Sequence, residues 1–196
     1  MSGRRSDAEP GPAGTPGDDE VLVAALKAND AAAIRQVYRL YADGVYRYAL
    51  YQLGDRAAAE DGAGEVFLRL LTSIERYQYR GVPLQAYLYR IARNLVVDQQ
   101  RRRGRLAPLE ALPEQRALSA NPAHLAEQRL SWQELQAALG RLTEEQRQVV
   151  LLKFVEDLDN RQVAAAIGKN EGAVKALQHR ALASLRRILE RSRRDA

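Results

Sequence analysis

Between residues 170 and 190, basic side chains recur at helical spacing. At about 100° per residue, one side of a helix there carries Lys175, Ala176, His179, Arg180, Ala183, Arg186 and Arg187. The other side carries Val174, Ala181, Leu185, Ile188 and Leu189, with Gln178 among them, whereas Leu177 lies nearer the basic edge. Since Lys and Arg contact phosphates and base edges in the major groove, this face predicts duplex-DNA binding. The alternative is a solvated basic face on a packing helix.

The residues before this helix favour DNA binding over that alternative. Asp159 can cap a short helix, Gly168 can end it, and Asn170 can cap the long helix that follows, to about Leu189. A short helix, a glycine turn and a longer helix form the helix-turn-helix pattern. A further helix, capped by Thr143, is predicted before it and runs to about Phe154.

A second group of polar residues lies on a predicted helix from Leu84 to Arg103. Its core stripe is Leu84, Leu88, Ile91 and Leu95, and the neighbouring row is Tyr87, Arg90, Asn94, Asp98 and Arg101. An aromatic ring, an amide and arginines in one row are typical of a platform for single-stranded nucleic acid, where bases stack and phosphates are neutralised. The alternative is a tyrosine at the core edge beside surface ion pairs. The basic run 101–105 favours the nucleic-acid interpretation.

Composition excludes most catalytic chemistry. The 196 residues include 30 Lys and Arg against 25 Asp and Glu, a net charge of +5 that favours a polyanionic partner. Without cysteine there is no disulfide or thiolate metal site, and the two histidines, His124 and His179, lie far apart. No glycine-rich phosphate loop or serine motif is present. We therefore expect a protein that is not an enzyme and needs no cofactor or metal.

The elements that position these groups are helices, so the predicted fold class is all-α, with two small helical domains joined by a flexible linker. Residues 1–19 are expected to form a disordered tail, 20–103 the first domain, 104–123 the proline-punctuated linker and 124–192 the helix-turn-helix domain. No apolar run reaches the roughly 18 residues of a membrane span. We expect no membrane insertion and a cytoplasmic protein.

Within the first domain, three more helices are predicted. The first starts near Glu20, and the second follows the capping pair Asn29 and Asp30. The third runs from about Asp55 to Tyr77. Its apolar stripe is Val66, Phe67, Leu70, Leu71 and Ile74. Residues 77–83 are expected to form a loop.

Two strings make the chain recognisable. Residues 55–103, with Glu65-Val66-Phe67-Leu68-Arg69 and Leu88-Tyr89-Arg90-Ile91-Ala92-Arg93-Asn94, resemble region 2 of the extracytoplasmic-function (ECF) sigma factors. Residues 142–187, with Gly172-Ala173-Val174-Lys175 and His179-Arg180-Ala181, resemble region 4 of the same proteins. The resemblance covers about residues 20 to 190, apart from the linker.

The resemblance implies an alternative sigma factor that binds core RNA polymerase and recognises a melted −10 and a duplex −35 element. It assigns polymerase binding, at the clamp of the largest subunit, to Asp61, Glu65, Phe67 and Leu68. It assigns the −10 element, with one base flipped out, to Ser73, Tyr77, Tyr87, Arg90, Asn94, Arg101 and Arg102. It assigns the −35 element to Lys175, Ala176, Leu177, His179, Arg180, Arg186 and Arg187. Region 4 would contact the polymerase flap, and an anti-sigma factor is an expected partner.

Some positions depart from the family pattern, among them Gln178, where Leu is commoner, and Leu177, where a polar residue is usual. Gly62 and Gly64 stand where a larger apolar residue and Gln are usual, and each glycine should weaken its helix by up to about 1 kcal/mol relative to alanine. Tyr87 replaces a typical Trp and keeps an aromatic face. Two alternatives to a sigma factor remain. A one-component helix-turn-helix regulator would bind a palindrome without polymerase, and a helical adaptor or anti-sigma-like protein would not need the basic face.

Overall fold

The computed structural model describes residues 16–79, 82–103 and 135–192, and within these ranges it contains helices and no strand. The helices are α1 (Pro16–Lys27), α2 (Ala31–Leu53), α3 (Arg56–Ser73), α4 (Leu84–Arg103), α5 (residues 135–140), α6 (Glu144–Val150), α7 (Asn160–Ile167) and α8 (Glu171–Ser192). A 3₁₀ turn, Ile74–Arg76, continues α3, and a π-helical turn, Leu151–Val155, continues α6. The predicted all-α class is therefore confirmed. The predicted linker, 104–123, and the first residues of the predicted helix-turn-helix domain, 124–134, lie outside the described residues.

Helices α1–α4 form an N-terminal unit and α5–α8 a C-terminal unit. Capping side chains set the start of several helices. Asp30 accepts a hydrogen bond from the Ala32 amide at the start of α2, and Asp55 accepts one from Ala58 at the start of α3. Each satisfies one of the amides that a helix N-terminus leaves without an intrahelical partner.

The first helix begins earlier than the sequence predicted. Residues 16–19 are the first turn of α1 and not part of a disordered tail, while residues 1–15 lie outside the described part of the chain. Pro16 is suited to the first helical position because its missing N–H needs no partner there. Asp18 and Asp19 in the same turn favour a helix N-terminus electrostatically.

The core of the N-terminal unit is built from the apolar faces of all four helices. Its fully buried members include Val45, Tyr48, Leu70, Leu84 and Leu88. The predicted stripes of α3 and α4 face this core, although Phe67, Leu71 and Ile91 are only partly buried. The rings of Tyr48 and Tyr89 meet edge to face, with centroids 5.8 Å apart.

The two glycines in α3 have different surroundings. A Cβ on Gly62 would lie 3.4 Å from Leu95 Cδ2 of α4, whereas a Cβ on Gly64 would have no neighbour within 4 Å. A side chain at Gly62 would therefore touch α4 at van der Waals distance, whereas one at Gly64 would point into open space.

Gly64→Ala is accordingly expected to stabilise the protein. Alanine removes the entropic disadvantage of glycine in a helix, which is worth up to about 1 kcal/mol. Urea unfolding should show the midpoint rising for Gly64→Ala through helix propensity alone, and Gly62→Ala, whose Cβ would touch Leu95, is the comparison at a packed position. Equal midpoints for Gly64→Ala and the parent chain would contradict this account.

Candidate nucleic-acid interface

The C-terminal unit contains the predicted helix-turn-helix. At the start of α7, Asp159 accepts a hydrogen bond from the Gln162 amide, and the Gln162 side chain accepts one from the Asp159 amide. This reciprocal capping box defines the first residue of α7. Gly168 ends α7 with φ of 70°, a left-handed conformation that only glycine adopts without a steric cost. Asn170 then caps α8 by accepting a hydrogen bond from Ala173. The three predicted capping residues are confirmed.

The structure places most of the predicted −35 residues on the outer face of α8. Lys175, Ala176, His179, Arg180, Arg186 and Arg187 are all exposed. Arg186 is paired with Glu190 at 3.0 Å, so part of its charge is already compensated. An ion pair of 2.8 Å between Lys169 and Glu145 joins the turn to α6 and helps to fix the direction of α8.

Leu177 is a correction to the predicted −35 set. It is 5% exposed and packs in the core of the C-terminal unit with Val174 and Ala181. The predicted apolar stripe of α8 included Leu189, which lies near the end of the helix and is 49% exposed. Including it shifts the centre of the stripe around the helix, away from Leu177. The buried face is set by contact with α6 and α7, which the wheel of an isolated helix does not contain. Leu177 therefore stabilises the helix-turn-helix and does not present its side chain to DNA.

The predicted −10 residues fall into two groups. Ser73, Tyr77, Tyr87 and Arg90 line one open cavity of about 750 Å³ between the end of α3, the segment with Gln78 and Val82, and α4. Asn94, Arg101 and Arg102 lie further along α4 and are exposed. Asn94 accepts a hydrogen bond of 3.3 Å from Arg93. By helical spacing, Asn94 and Arg101 lie on the same side of α4 as Tyr87 and Arg90.

The cavity has an aromatic wall with a cation on it. The rings of Tyr77 and Tyr87 are 4.8 Å apart, and the Arg90 guanidinium lies 5.0 Å from the centre of the Tyr87 ring. The Tyr87 hydroxyl is 2.9 Å from Ser73 Oγ, which fixes the ring against the end of α3. A partly buried tyrosine beside an arginine can stack on a planar base and neutralise a phosphate.

Tyr77 is more buried than its predicted role requires, being 5% exposed. Its hydroxyl donates to the Val82 carbonyl at 2.6 Å and so crosses the base of the loop. Burial raises the pKa of this phenol, with Asp19 adding to the rise, so the hydroxyl remains a donor at neutral pH. Tyr77 thus contributes mainly to the shape of the cavity, and little of its side chain is accessible there. Arg76 and Gln78 also line the cavity, and their positions beside Tyr77 were the only sequence signal for them.

The four residues predicted to bind polymerase lie on α3. Asp61 and Leu68 are exposed, Leu68 by 61%, whereas Glu65 and Phe67 are partly buried. Glu65 is paired with Arg69 at 2.7 Å. The Phe67 ring packs on Tyr38 of α2, with centroids 5.0 Å apart. At about 100° per residue, Asp61, Glu65 and Leu68 share one face of α3, whereas Phe67 lies on the side that packs against α2.

A feature that the sequence did not predict joins the two units. Glu156, with its side chain 3% exposed, accepts a 2.7 Å hydrogen bond from Tyr89 and forms an ion pair of 3.1 Å with Arg47. Burial raises the pKa of the Glu156 carboxyl, although both partners oppose that rise. Arg93 of α4 also donates to Gln148 of α6 at 3.1 Å, a second polar contact between the units.

This contact places α7 against α4 and next to the cavity. Ala165 of α7 is one of the lining residues of the cavity. The contact also depends on Gly44 of α2, where a Cβ would come within 2.5 Å of both Glu156 Oε2 and the Tyr89 hydroxyl. Gly44 and Glu156 lie 112 residues apart in sequence, so no local sequence pattern could have predicted that they meet.

Within the described ranges, no helix combines the length and apolar composition that crossing a membrane requires.

Comparison with known proteins agrees with this architecture. Residues 37–106 match the family described as Sigma-70 region 2, and residues 132–185 match the family described as Sigma-70, region 4. The solved sigma factor RpoE, in complex with the anti-sigma factor NepR from Bartonella quintana, has a similar fold. The TM-score is 0.67 at 23% identity, over 80% of this chain and 96% of that one. The fold and the paired regions define a sigma-70-type RNA polymerase sigma factor.

Sequence relatives identify the group of sigma factors to which the chain belongs. ECF RNA polymerase sigma factor BldN of Streptomyces coelicolor is 39% identical over 171 residues, which cover 86% of this chain and 64% of BldN. ECF RNA polymerase sigma factor SigD of Mycobacterium tuberculosis is 36% identical over 173 residues, which cover 85% of this chain and 82% of SigD. The chain belongs to the ECF RNA polymerase sigma factors. This membership favours a sigma factor over the one-component regulator and the helical adaptor.

Proposed function

We propose that this chain is an alternative sigma factor that directs core RNA polymerase to promoters with separate −10 and −35 elements. The observation that carries the proposal is the cavity between α3 and α4, in which Tyr87 and Arg90 offer a stacking surface beside a positive charge. Such a site suits a base removed from the duplex, because unstacking one base costs only a few kcal/mol. In this role the protein is not an enzyme, and it acts in the cytoplasm.

The three surfaces have different tasks in this proposal. The exposed face of α8, with Lys175, His179 and Arg180, reads the −35 duplex in the major groove. The cavity holds the flipped −10 base, while Asn94 and the arginines at the end of α4 follow the melted strand. The face of α3 that carries Asp61, Glu65 and the exposed Leu68 docks on the clamp of the largest polymerase subunit, with the partly buried Phe67 beside it.

The contact between the units has a consequence for this function. With Ala165 in the cavity wall, α7 occupies space beside the proposed base site. A −10 strand that follows the exposed row of α4 into the cavity therefore meets α7 at the cavity wall. We propose that core polymerase separates the units by binding each one, the second at its flap. An anti-sigma factor is the proposed negative regulator.

Run-off transcription with purified core polymerase and a genomic promoter library tests the proposal. We expect promoter-specific transcripts that depend on this chain, because core polymerase alone cannot select a promoter. Tyr87→Ala should reduce open-complex formation by roughly tenfold, the effect of losing about 1–3 kcal/mol of base stacking. Its affinity for core polymerase should stay unchanged. A chain that yields no transcript but footprints a palindrome by itself would be a one-component regulator instead.

A further inference from the structure

Helix α4 begins without a capping residue of its own. The residues before Leu84 are Val82 and Pro83, and neither has a side chain that can accept a hydrogen bond from the first helical amides. The Leu84 amide instead donates to Asp19 Oδ2 of α1 at 3.0 Å. The cap therefore comes from a residue 65 positions earlier, and α1 fixes where the 77–83 loop ends.

A second side chain of α1 fixes where the loop begins. Lys27 Nζ donates to the Tyr77 carbonyl at 2.8 Å. Asp19 and Lys27 are eight residues apart on α1, a rise of about 12 Å along a helix axis. Between them Leu22, Val23 and Leu26 are buried in the core, which holds α1 in place. Helix α1 thus spans the loop, with one polar contact at each end.

The Asp19 contact is also sheltered from solvent. Asp19 is 4% exposed, and burial raises the pKa of its carboxyl, while the Leu84 amide opposes that rise. A buried hydrogen bond to a carboxyl group is costly to lose, because the orphaned amide has no water to replace its partner. The loop itself is then closed by the Tyr77 hydroxyl on the Val82 carbonyl.

We propose that Asp19 and Lys27 are positioning residues that hold the base-binding cavity open in its working shape before DNA arrives. The proposal rests on the proposed function of the cavity as the −10 base site. Neither residue lines the cavity, so neither contacts the base. They act through Tyr77 and Leu84, and their contribution is to fix these two positions before base capture, so that less conformational entropy is lost when the base binds.

The test uses holoenzyme reconstituted from core polymerase and the full chain, with fork-junction promoter DNA as the probe. Affinity is measured twice for each variant, once with the flipped −10 base present and once with an abasic residue there. The ratio of the two affinities reports base capture alone. It does not depend on the fraction of active protein, so partial misfolding of a variant leaves it unchanged.

Asp19→Ala and Lys27→Met should each lower this ratio by about threefold to tenfold, the loss of one buried or partly buried hydrogen bond. Asp19→Asn keeps an oxygen acceptor for the Leu84 amide, and Lys27→Arg keeps a donor, so both should retain most of the ratio. The matched control is Glu20→Ala, an exposed neighbour on α1 that should behave as the parent chain.

Two results would overturn the proposal, and they are distinguishable. If Tyr87→Ala lowers the ratio but Asp19→Ala and Lys27→Met do not, the cavity is the base site and α1 does not position it. If the parent chain shows no difference between base and abasic DNA, or Tyr87→Ala leaves the ratio unchanged, the cavity is not the base site. That second result overturns both the proposed function of the cavity and the role of α1.

Discussion

Gly44→Ala is expected to displace Glu156 from between Arg47 and Tyr89 and so to weaken the contact between the two units. The added Cβ would lie 2.5 Å from Glu156 Oε2 and from the Tyr89 hydroxyl, closer than non-bonded atoms approach. The atoms that must move are the far ends of two side chains, and alanine is a better helix former than glycine. The N-terminal unit should therefore keep its fold while the contact is lost.

The expected effect on the contact between the units is large because the Glu156 carboxylate would lose both of its partners. A carboxylate removed from its arginine and its tyrosine donor but still buried would be strongly unfavourable. The units are then expected to separate and expose Glu156 to water. Energy transfer between dyes on α3 and α8 of the free protein should fall markedly, and small-angle scattering should show a larger radius of gyration.

Gly64→Ala is the matched control, since its Cβ meets nothing within 4 Å. Gly44→Leu, with a side chain large enough to fill the Glu156 position, should separate the units completely. If the dye distance for Gly44→Leu equals that of the parent chain, the contact around Glu156 does not hold the units together. Where separation is seen, the free protein should also bind promoter DNA several-fold more tightly, because α7 no longer lies beside the cavity.

Removing two charges from the outer face of α8 should abolish most −35 recognition. Lys175→Ala with Arg180→Ala deletes two exposed cations that lie about 1.4 turns apart on α8. Contacts of lysine or arginine with base edges are worth about 1–3 kcal/mol each, so the double variant should lose on the order of a hundredfold in affinity for −35 duplex DNA.

The salt dependence of DNA binding shows whether Lys175 and Arg180 contact phosphates or base edges. Where both cations contact phosphates, the slope of log affinity against log salt should become shallower by nearly 2. Holoenzyme binding measured from 50 to 200 mM salt gives this slope. Arg186→Ala is a useful comparison, since Glu190 already neutralises part of that charge, and its slope should change less. An unaltered affinity in the double variant would show that another face of the C-terminal unit meets the DNA.

Local sequence determined the helices because their limits depend on nearby residues. Asp30, Asp159, Gly168 and Asn170 each act within four positions of the amide or carbonyl that they satisfy. The row from Tyr87 to Arg101 likewise follows from helical spacing alone. The family resemblance assigned Tyr77 and Ser73 to the −10 element. The structure places both in the cavity with Tyr87 and Arg90, while their role remains a proposal.

Only the tertiary structure decided which side of each helix meets another. The wheel of α8 put Leu177 near the DNA edge, whereas contact with α6 and α7 buries it. Similarly, the cap of α4 comes from Asp19 on α1, and Glu156 is matched to Gly44 and Tyr89 of the other unit. These partners are 65 to 112 residues apart in sequence. Periodicity and capping patterns describe one element at a time, and contacts between elements appear only when the chain has folded.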